Sequence, residues 1–106
     1  SGASDGAFFE TYVVTEIIKS YYNAGKPSNL YYYRDVDKKE IDLLIVEEDK
    51  LYPIEVKKSK QPINPDKNFS VLKKFKLDVQ PGIVICMSDE LIPYNREVWY
   101  CPVSIL

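Results

Sequence analysis

Two neighbouring segments of this 106-residue chain alternate their apolar side chains with a period of two. Residues 39 to 47 have the sequence KEIDLLIVE, and residues 51 to 57 have the sequence LYPIEVK after a polar EEDK stretch. A period of two is typical of β-strands, whose successive side chains point to opposite faces of a sheet. A polar turn between two such segments favours an antiparallel hairpin. Each segment carries charged residues inside its apolar pattern, so the pairing of the hairpin decides which charges meet.

The register of this hairpin has three possible forms with different consequences. Glu55 and Lys57 are two residues apart and therefore share a face of their strand. If Glu48 and Asp49 form a two-residue turn, Asp42 lies directly opposite Glu55 on that face. If the turn lies one residue later, Asp42 pairs with Lys57 and Glu55 becomes its diagonal neighbour. A three-residue loop would reverse the parity and separate the three side chains.

Facing carboxylates on a hairpin repel each other, by up to ~1 kcal/mol, unless a positive charge lies between them. Mg²⁺ and Mn²⁺ bind hard oxygen ligands, and Mg²⁺ usually combines one or two carboxylates with waters and substrate phosphate oxygens. Asp42 and Glu55 are therefore candidate metal ligands, and Lys57 is a candidate for orienting a metal-bound water or neutralising developing charge. The alternative is a cross-strand salt-bridge cluster on a solvated sheet face.

Composition excludes several other kinds of site. The chain has no histidine, which removes Ser-His-Asp and Cys-His catalysis and every zinc site that needs an imidazole. Cys86 and Cys101 form no CxxC pair, which indicates a reduced, cytoplasmic protein. No apolar segment approaches the ~20 residues of a membrane span, so no membrane is expected as a partner. The net charge of −2 argues against holding nucleic acid by bulk electrostatics alone.

The other segments of the chain predict further elements in a definite order. Phe9, Val13, Ile17 and Tyr21 have helical spacing. The patterns predict a helix over residues 8–24, a strand over 30–35, the hairpin, a second helix over 66–77, a buried strand over 82–87 and a last strand over 97–105 that Pro102 interrupts. These elements indicate one α/β domain over residues 6–106, and residues 1–5 are expected to be a cloning remnant or linker before a domain excised from a longer protein.

This order and the charged residues resemble the PD-(D/E)XK nuclease superfamily. Its core has an acidic residue on the second strand, matched by Asp42, and an E-x-K motif on the third, matched by Glu55-Val56-Lys57. The resemblance implies a restriction-endonuclease-like αβββαβ core, with a central mixed sheet flanked by helices. It implies catalysis by Asp42, Glu55 and Lys57, and a Mg²⁺ or Mn²⁺ ion held by Asp42, Glu55, Val56 and the helix acid Glu10. The leading Pro-Asp of the superfamily is not matched, because an isoleucine precedes Asp42.

Three segments carry a narrower similarity: a G-x-x-x-E-x-x-V pattern that begins at Gly6, the segment EIDLLI and the segment LYPIEVKKSK. They are similar to a C-terminal domain of unknown function that follows the ATPase core in many archaeal and bacterial AAA-type ATPases. The similarity extends from Gly6 to about Met87. It implies an ATPase module of the same parent chain as a partner. The expected function is metal-dependent phosphodiester hydrolysis of nucleic acid, with DNA favoured and a homodimer left open. The alternative is a non-catalytic module for nucleic-acid recognition or protein interaction, which the acidic pI near 5.1 favours.

Basic and aromatic residues supply a weaker pattern. Lysines follow the E-x-K motif and recur in the predicted second helix, where they are candidates to flank a phosphate path. Tyr31 to Tyr33 are candidates to stack on unpaired bases. A solvated surface for the lysines and a core position for some tyrosines are the simpler interpretations. Cys86 is expected to pack in the core as a small apolar group.

Overall fold

The computed structural model describes residues 2–26 and 29–106. Its elements in chain order are the helix α1 (Gly2–Asn23), the strands β1 (Leu30–Arg34), β2 (Glu40–Glu47) and β3 (Lys50–Val56), a 3₁₀ helix (Phe69–Lys74), the strands β4 (Asp78–Val79), β5 (Gly82–Cys86), β6 (Ile92–Pro93) and β7 (Val98–Pro102), and a final 3₁₀ helix (Val103–Ile105). None of the helices within these residues is long and apolar enough to cross a membrane.

One mixed sheet organises the domain. Its strand order is β1-β2-β3-β5-β7-β6, and the short strand β4 pairs with β3. The first three strands are antiparallel, β3, β5 and β7 are parallel, and β6 is antiparallel to β7. The predicted mixed α/β class with a mixed sheet is therefore confirmed. The short strands β4 and β6 were not predicted from the sequence.

The helix α1 covers one face of the sheet. Its predicted apolar face is confirmed, because Val13 and Ile17 are buried against Leu43 and Ile54, with other helix residues packed beside them. The helix begins at Gly2 rather than residue 8, so it includes positions 2–5 that the sequence assigned to a remnant or linker, while Ser1 lies outside the described residues. It ends at Asn23, followed by Gly25 with a φ of 69°, the left-handed conformation that terminates many helices.

The predicted second α-helix is wrong. Residues 66–77 contain a 3₁₀ helix of six residues, Phe69–Lys74. The apolar residues Phe69, Leu72 and Phe75 are spaced by three, which matches the period of a 3₁₀ helix better than that of an α-helix. Leu72 is fully buried on the sheet face opposite α1. Among the described residues the sheet therefore has one α-helix on one face and a 3₁₀ helix on the other, and the specific restriction-endonuclease-like core is not established.

The last strand also differs from its prediction. β7 ends at Pro102, and Val103–Ile105 form a 3₁₀ turn instead of continuing the strand to residue 105. Pro102 has no N–H to donate to a neighbouring strand, so a strand end at this residue has a direct physical cause.

The hairpin of β2 and β3 has the first of the three predicted registers. Leu43 pairs with Ile54, and Glu47 pairs with Lys50, so Glu48 and Asp49 form the two-residue turn. Glu48 has a φ of 57°, as the first central residue of a tight hairpin turn requires. This register directs Asp42 and Glu55 toward each other at the open end of the hairpin.

A β-bulge in β2 changes the alternation next to the site. From Tyr31 to Tyr33 β1 advances two residues, whereas its partners on β2, Leu44 and Ile41, are three apart. β2 therefore has one extra residue at Asp42 and Leu43. The alternation in the sequence places Ile41 and Leu43 on the same face, but the structure buries Leu43 in the cluster under α1 and Ile41 in the cluster on the opposite face. A bulge bends its strand and redirects a side chain, and here that side chain belongs to Asp42.

Candidate functional site

Asp42 and Glu55 bridge β2 and β3 with their side chains where the regular ladder stops. The Val56 N–H donates a hydrogen bond of 2.8 Å to Asp42 Oδ2. The Asp42 N–H donates a longer one, of 3.3 Å, to Glu55 Oε1. Each carboxylate thus accepts a bond from the opposite strand, which holds the two acidic groups side by side. Only 6% of Glu55 is exposed.

The environment of Glu55 opposes its ionisation. Burial is the largest cause, and the negative charge of Asp42 is the next; together they raise the pKa of Glu55 to about 8. The hydrogen bond from the Asp42 N–H and the positive charge of Lys57 act in the opposite direction, but they are the weaker influences. A buried carboxyl group with a like charge beside it is typical of functional sites.

The helix α1 contributes a third carboxyl group, Glu10. Burial, the charge of Asp42 and a hydrogen bond between the two side chains raise the pKa of Glu10 to about 7. Lys57 lowers this pKa and Glu40 raises it. Asp42 is therefore close to both Glu10 and Glu55.

Lys57 is close enough to influence both acids without forming an ion pair with either. Its side chain is exposed, and its main-chain N–H donates to the Ile85 carbonyl at 3.0 Å, which continues the pairing of β3 with β5. Within the described residues the salt bridges join Lys19 to Glu16, Arg34 to Glu40 and Lys58 to Asp5. The cross-strand salt-bridge alternative is therefore absent from the described part of the chain.

A cavity of about 390 Å³ opens over Asp42 and Glu55. Its lining includes three lysines, Lys38, Lys57 and Lys67, together with segment 62–65 and Asn68. A larger cavity, of about 430 Å³, lies beside Phe69 and Arg96 and contains none of the predicted site residues. The smaller cavity is the better candidate for chemistry, because it contains the neighbouring carboxylates Asp42 and Glu55.

The wall formed by residues 62–68 is held in place by hydrogen bonds from several elements. The Asn68 side-chain amide donates to the Glu40 carbonyl at 2.8 Å. The Tyr100 hydroxyl donates to the Pro62 carbonyl at 2.6 Å, and the Asn95 amide donates to Asp66 at 3.1 Å. These bonds connect the wall to both β2 and the β7 region, so it is a fixed part of the cavity.

The opposite wall is the turn between β1 and β2. Asp35 holds this turn, because its carboxylate accepts the Asp37 N–H at 2.9 Å and the Lys39 N–H at 3.1 Å. The Tyr33 hydroxyl donates to the same carboxylate at 3.1 Å. Lys38, in the middle of the turn, has a φ of 62° and lines the cavity.

The donor set fits a hard cation in part. Asp42 and Glu55 are neighbouring carboxylates, and no salt bridge among residues 2–26 and 29–106 pairs them with a cation. Carboxylate oxygens are ligands that Mg²⁺ and Mn²⁺ prefer. The described residues contain no group of three or more acidic or cysteine side chains arranged around one ion position. An ion here would therefore depend on waters and substrate oxygens for its remaining ligands, as Mg²⁺ commonly does. Val56 contributes its N–H to Asp42, whereas a metal would need its carbonyl oxygen.

Several lining residues were not found from the sequence. Lys38, Lys67 and Asn68 belong to loops, and no periodicity marks them. The available signal was the segment QPINPDKN after the E-x-K motif, because two prolines and two asparagines between strands are typical of an ordered loop. Of the tyrosines proposed for base stacking, Tyr33 is buried, whereas Tyr31 and Tyr32 are exposed.

Fold and site together define a mixed α/β domain with a carboxylate pair and a lysine at the open end of a hairpin. The family model of the domain of unknown function DUF4143 matches residues 5–106. The chain therefore belongs to the DUF4143 family. It has no match among curated proteins and none among solved structures.

Proposed function

We propose that this domain hydrolyses phosphodiester bonds of nucleic acid with the help of a divalent metal ion, Mg²⁺ or Mn²⁺. The observation that carries the proposal is the contact between Glu55 and Asp42. Glu55 is buried against a second carboxylate, and no salt bridge within the described residues neutralises the pair. Such an arrangement opposes folding unless a proton or a cation compensates it. A metal ion would supply that compensation and would also polarise a phosphate and activate a water.

The residues have separate roles in this proposal. Asp42 and Glu55 bind the ion, and Glu10 supports it from α1. Lys57, exposed at the cavity, orients the attacking water or neutralises the charge that develops on the phosphate. The remaining metal ligands are waters and substrate oxygens, with the Val56 carbonyl as a main-chain candidate.

The same proposal includes the wider context. The arrangement of Asp42 on the second strand and of Glu55 and Lys57 on the third supports membership of the PD-(D/E)XK superfamily, although a 3₁₀ helix stands where that core has an α-helix. The proposal also includes an ATPase module of the same parent chain as a partner, DNA as the substrate, a homodimer and a cytoplasmic location. A non-catalytic module for recognition or protein interaction is the second candidate, and the net charge of −2 favours it.

The test is cleavage of plasmid, linear and branched DNA in Mn²⁺. We expect Asp42→Asn, Glu55→Gln and Lys57→Ala each to reduce cleavage by about 100-fold or more. The three losses should not add in double variants, because the residues act on one step. Glu16→Gln, at a half-buried position of α1 outside the cavity lining, is the matched control and should cleave like the wild type. Equal cleavage by wild type and Glu55→Gln would refute the nuclease proposal.

A further inference from the structure

Tyr32 presents an exposed aromatic ring on β1, the strand next to the one that carries Asp42. It lies in β1 opposite the bulge at Asp42 and Leu43. Its side chain is 58% exposed, and Glu40, which lines the cavity, is near enough to raise the pKa of the Tyr32 hydroxyl. The ring therefore lies on the strand beside the acids, and most of its surface faces solvent.

The opposite side of the cavity combines positive charge with a second apolar surface. Ile63, in the wall formed by residues 62–68, is 89% exposed and lines the cavity. Lys38 and Lys67 belong to the two walls, and the exposed Lys57 also lines the cavity. A phosphate backbone entering this space meets cations on both sides, and a base beside it meets apolar surface.

These features suit an unpaired strand better than a duplex. A duplex carries one negative charge per about 1.7 Å of its axis, whereas a single strand carries one per about 3.4 Å. Three lysines on a domain of net charge −2 match the lower density more closely. The flat surface of Tyr32 can stack only on a base whose own face is free, and stacking on aromatic side chains contributes about 1–3 kcal/mol per base.

We propose that the substrate of this site is single-stranded nucleic acid, with one base stacked on Tyr32 and the phosphate backbone passing between Lys38 and Lys67. The proposal rests on the function proposed above, since it places the strand over Asp42 and Glu55. In this proposal the site selects single-stranded over double-stranded nucleic acid, because it recognises a base whose face is free. Single-stranded DNA and single-stranded RNA share this chemistry.

The test is fluorescence anisotropy with labelled 12-mer DNA, the matching duplex and the matching RNA, in EDTA and low salt. We expect the DNA or RNA single strand to bind at least tenfold more tightly than the duplex. Tyr32→Ala should lose about tenfold in single-strand affinity, and Tyr32→Phe should retain most of it because the ring remains. Tyr31→Ala is the matched control, since Tyr31 is 56% exposed in the same strand but points to the other face.

Two results would overturn the inference: duplex affinity equal to or above that of both single strands, or equal losses in Tyr32→Ala and Tyr31→Ala. If Tyr32→Ala does not fold, the affinities of the wild-type domain for single strands and for the duplex are sufficient to test the inference. The assay contains no divalent metal, so it is independent of hydrolysis. Single-strand binding without cleavage refutes only the proposed hydrolysis. Cleavage of duplex DNA at the same rate by wild type and Tyr32→Ala refutes only this inference.

Discussion

Asp35 and Glu55 are two carboxylates in the same sheet with opposite surroundings. Asp35 accepts hydrogen bonds from two main-chain N–H groups and from the Tyr33 hydroxyl. Partial burial alone would raise its pKa, but the bonds from Lys39, Tyr33 and Asp37 outweigh burial and hold the pKa below its ordinary value of 3.8. Glu55 is buried beside Asp42, and its pKa is raised to about 8.

The difference separates a structural carboxylate from a candidate functional one. The charge of Asp35 stabilises the turn that carries Lys38, so selection for folding alone explains it. The charge of Glu55 destabilises the hairpin, and a residue that weakens the fold is expected mainly where function requires it. Asp35 and Asp42, the neighbour of Glu55, are close together in the sequence. Local contacts therefore explain the contrast, and overall composition does not.

The largest expected effect is on the pH dependence of stability without metal. Glu55 and Glu10 bind protons more tightly in the folded domain, where their pKa values are about 8 and about 7, than in the unfolded chain, where the ordinary value is 4.5. The free energy of unfolding should therefore fall as pH rises from about 4.5 to about 8, by on the order of a few kcal/mol. Urea denaturation in EDTA at several pH values measures it.

Asp35 shapes the other side of this pH profile. Because its folded pKa is lowered, its contribution is present above the ordinary value of 3.8 and is lost as pH falls through the folded pKa. The stability maximum should then lie at mildly acidic pH. Glu55→Gln is the control, and it should flatten most of the fall toward pH 8. A wild-type stability that is constant or rising from pH 5 to pH 8 would contradict the contrast between the two carboxylates.

Removing the charge of one carboxylate should change the stability of the domain by a smaller amount, with opposite signs at Asp42 and Asp35. At pH 9 in EDTA and low salt, where Glu55 is ionised, Asp42→Asn should stabilise the domain by up to about 1 kcal/mol, because it removes a facing like charge. The asparagine retains an oxygen to accept the Val56 N–H. Asp35→Asn should instead lower the melting temperature, because it removes the charge that three donors stabilise.

Thermal melting and urea denaturation of both variants measure this difference. Lys57→Met should destabilise the domain under the same conditions, because it removes a cation that favours the charged forms of Glu10 and Glu55. A loss of stability in Asp42→Asn similar to that in Asp35→Asn would mean that Asp42 is a structural residue.

The sequence predicted the hairpin and reduced its register to three alternatives. One of them, with a two-residue turn at Glu48 and Asp49, places Asp42 opposite Glu55. The structure has that turn, with Leu43 opposite Ile54 and a hydrogen bond from the Asp42 N–H to Glu55. The apolar face of α1 was predictable because helical spacing and a terminating glycine support the same element. The position of Glu10 beside Asp42 followed from the resemblance and from that helix face.

Other features depend on contacts between distant segments. The bulge at Asp42 and Leu43 has no glycine to mark it, and it arises where β2 must match both β1 and β3. The 3₁₀ helix over Phe69–Lys74 was mistaken for an α-helix because three-residue spacing satisfies both patterns over a short segment. The wall that carries Lys67 and Asn68 is fixed by bonds from Tyr100 and to Glu40, more than 25 residues away in the chain.

Calorimetric titration of the purified domain with Mn²⁺ tests most directly whether the carboxylate pair is a cation site. We expect one Mn²⁺ per chain, bound more tightly at pH 8 than at pH 6, because Glu10 and Glu55 must lose protons to bind it. Glu55→Gln and Asp42→Asn should each weaken binding at least tenfold, whereas Asp35→Asn should bind like the wild type. No binding at millimolar Mn²⁺, or equal binding by wild type and Glu55→Gln, would contradict the metal site.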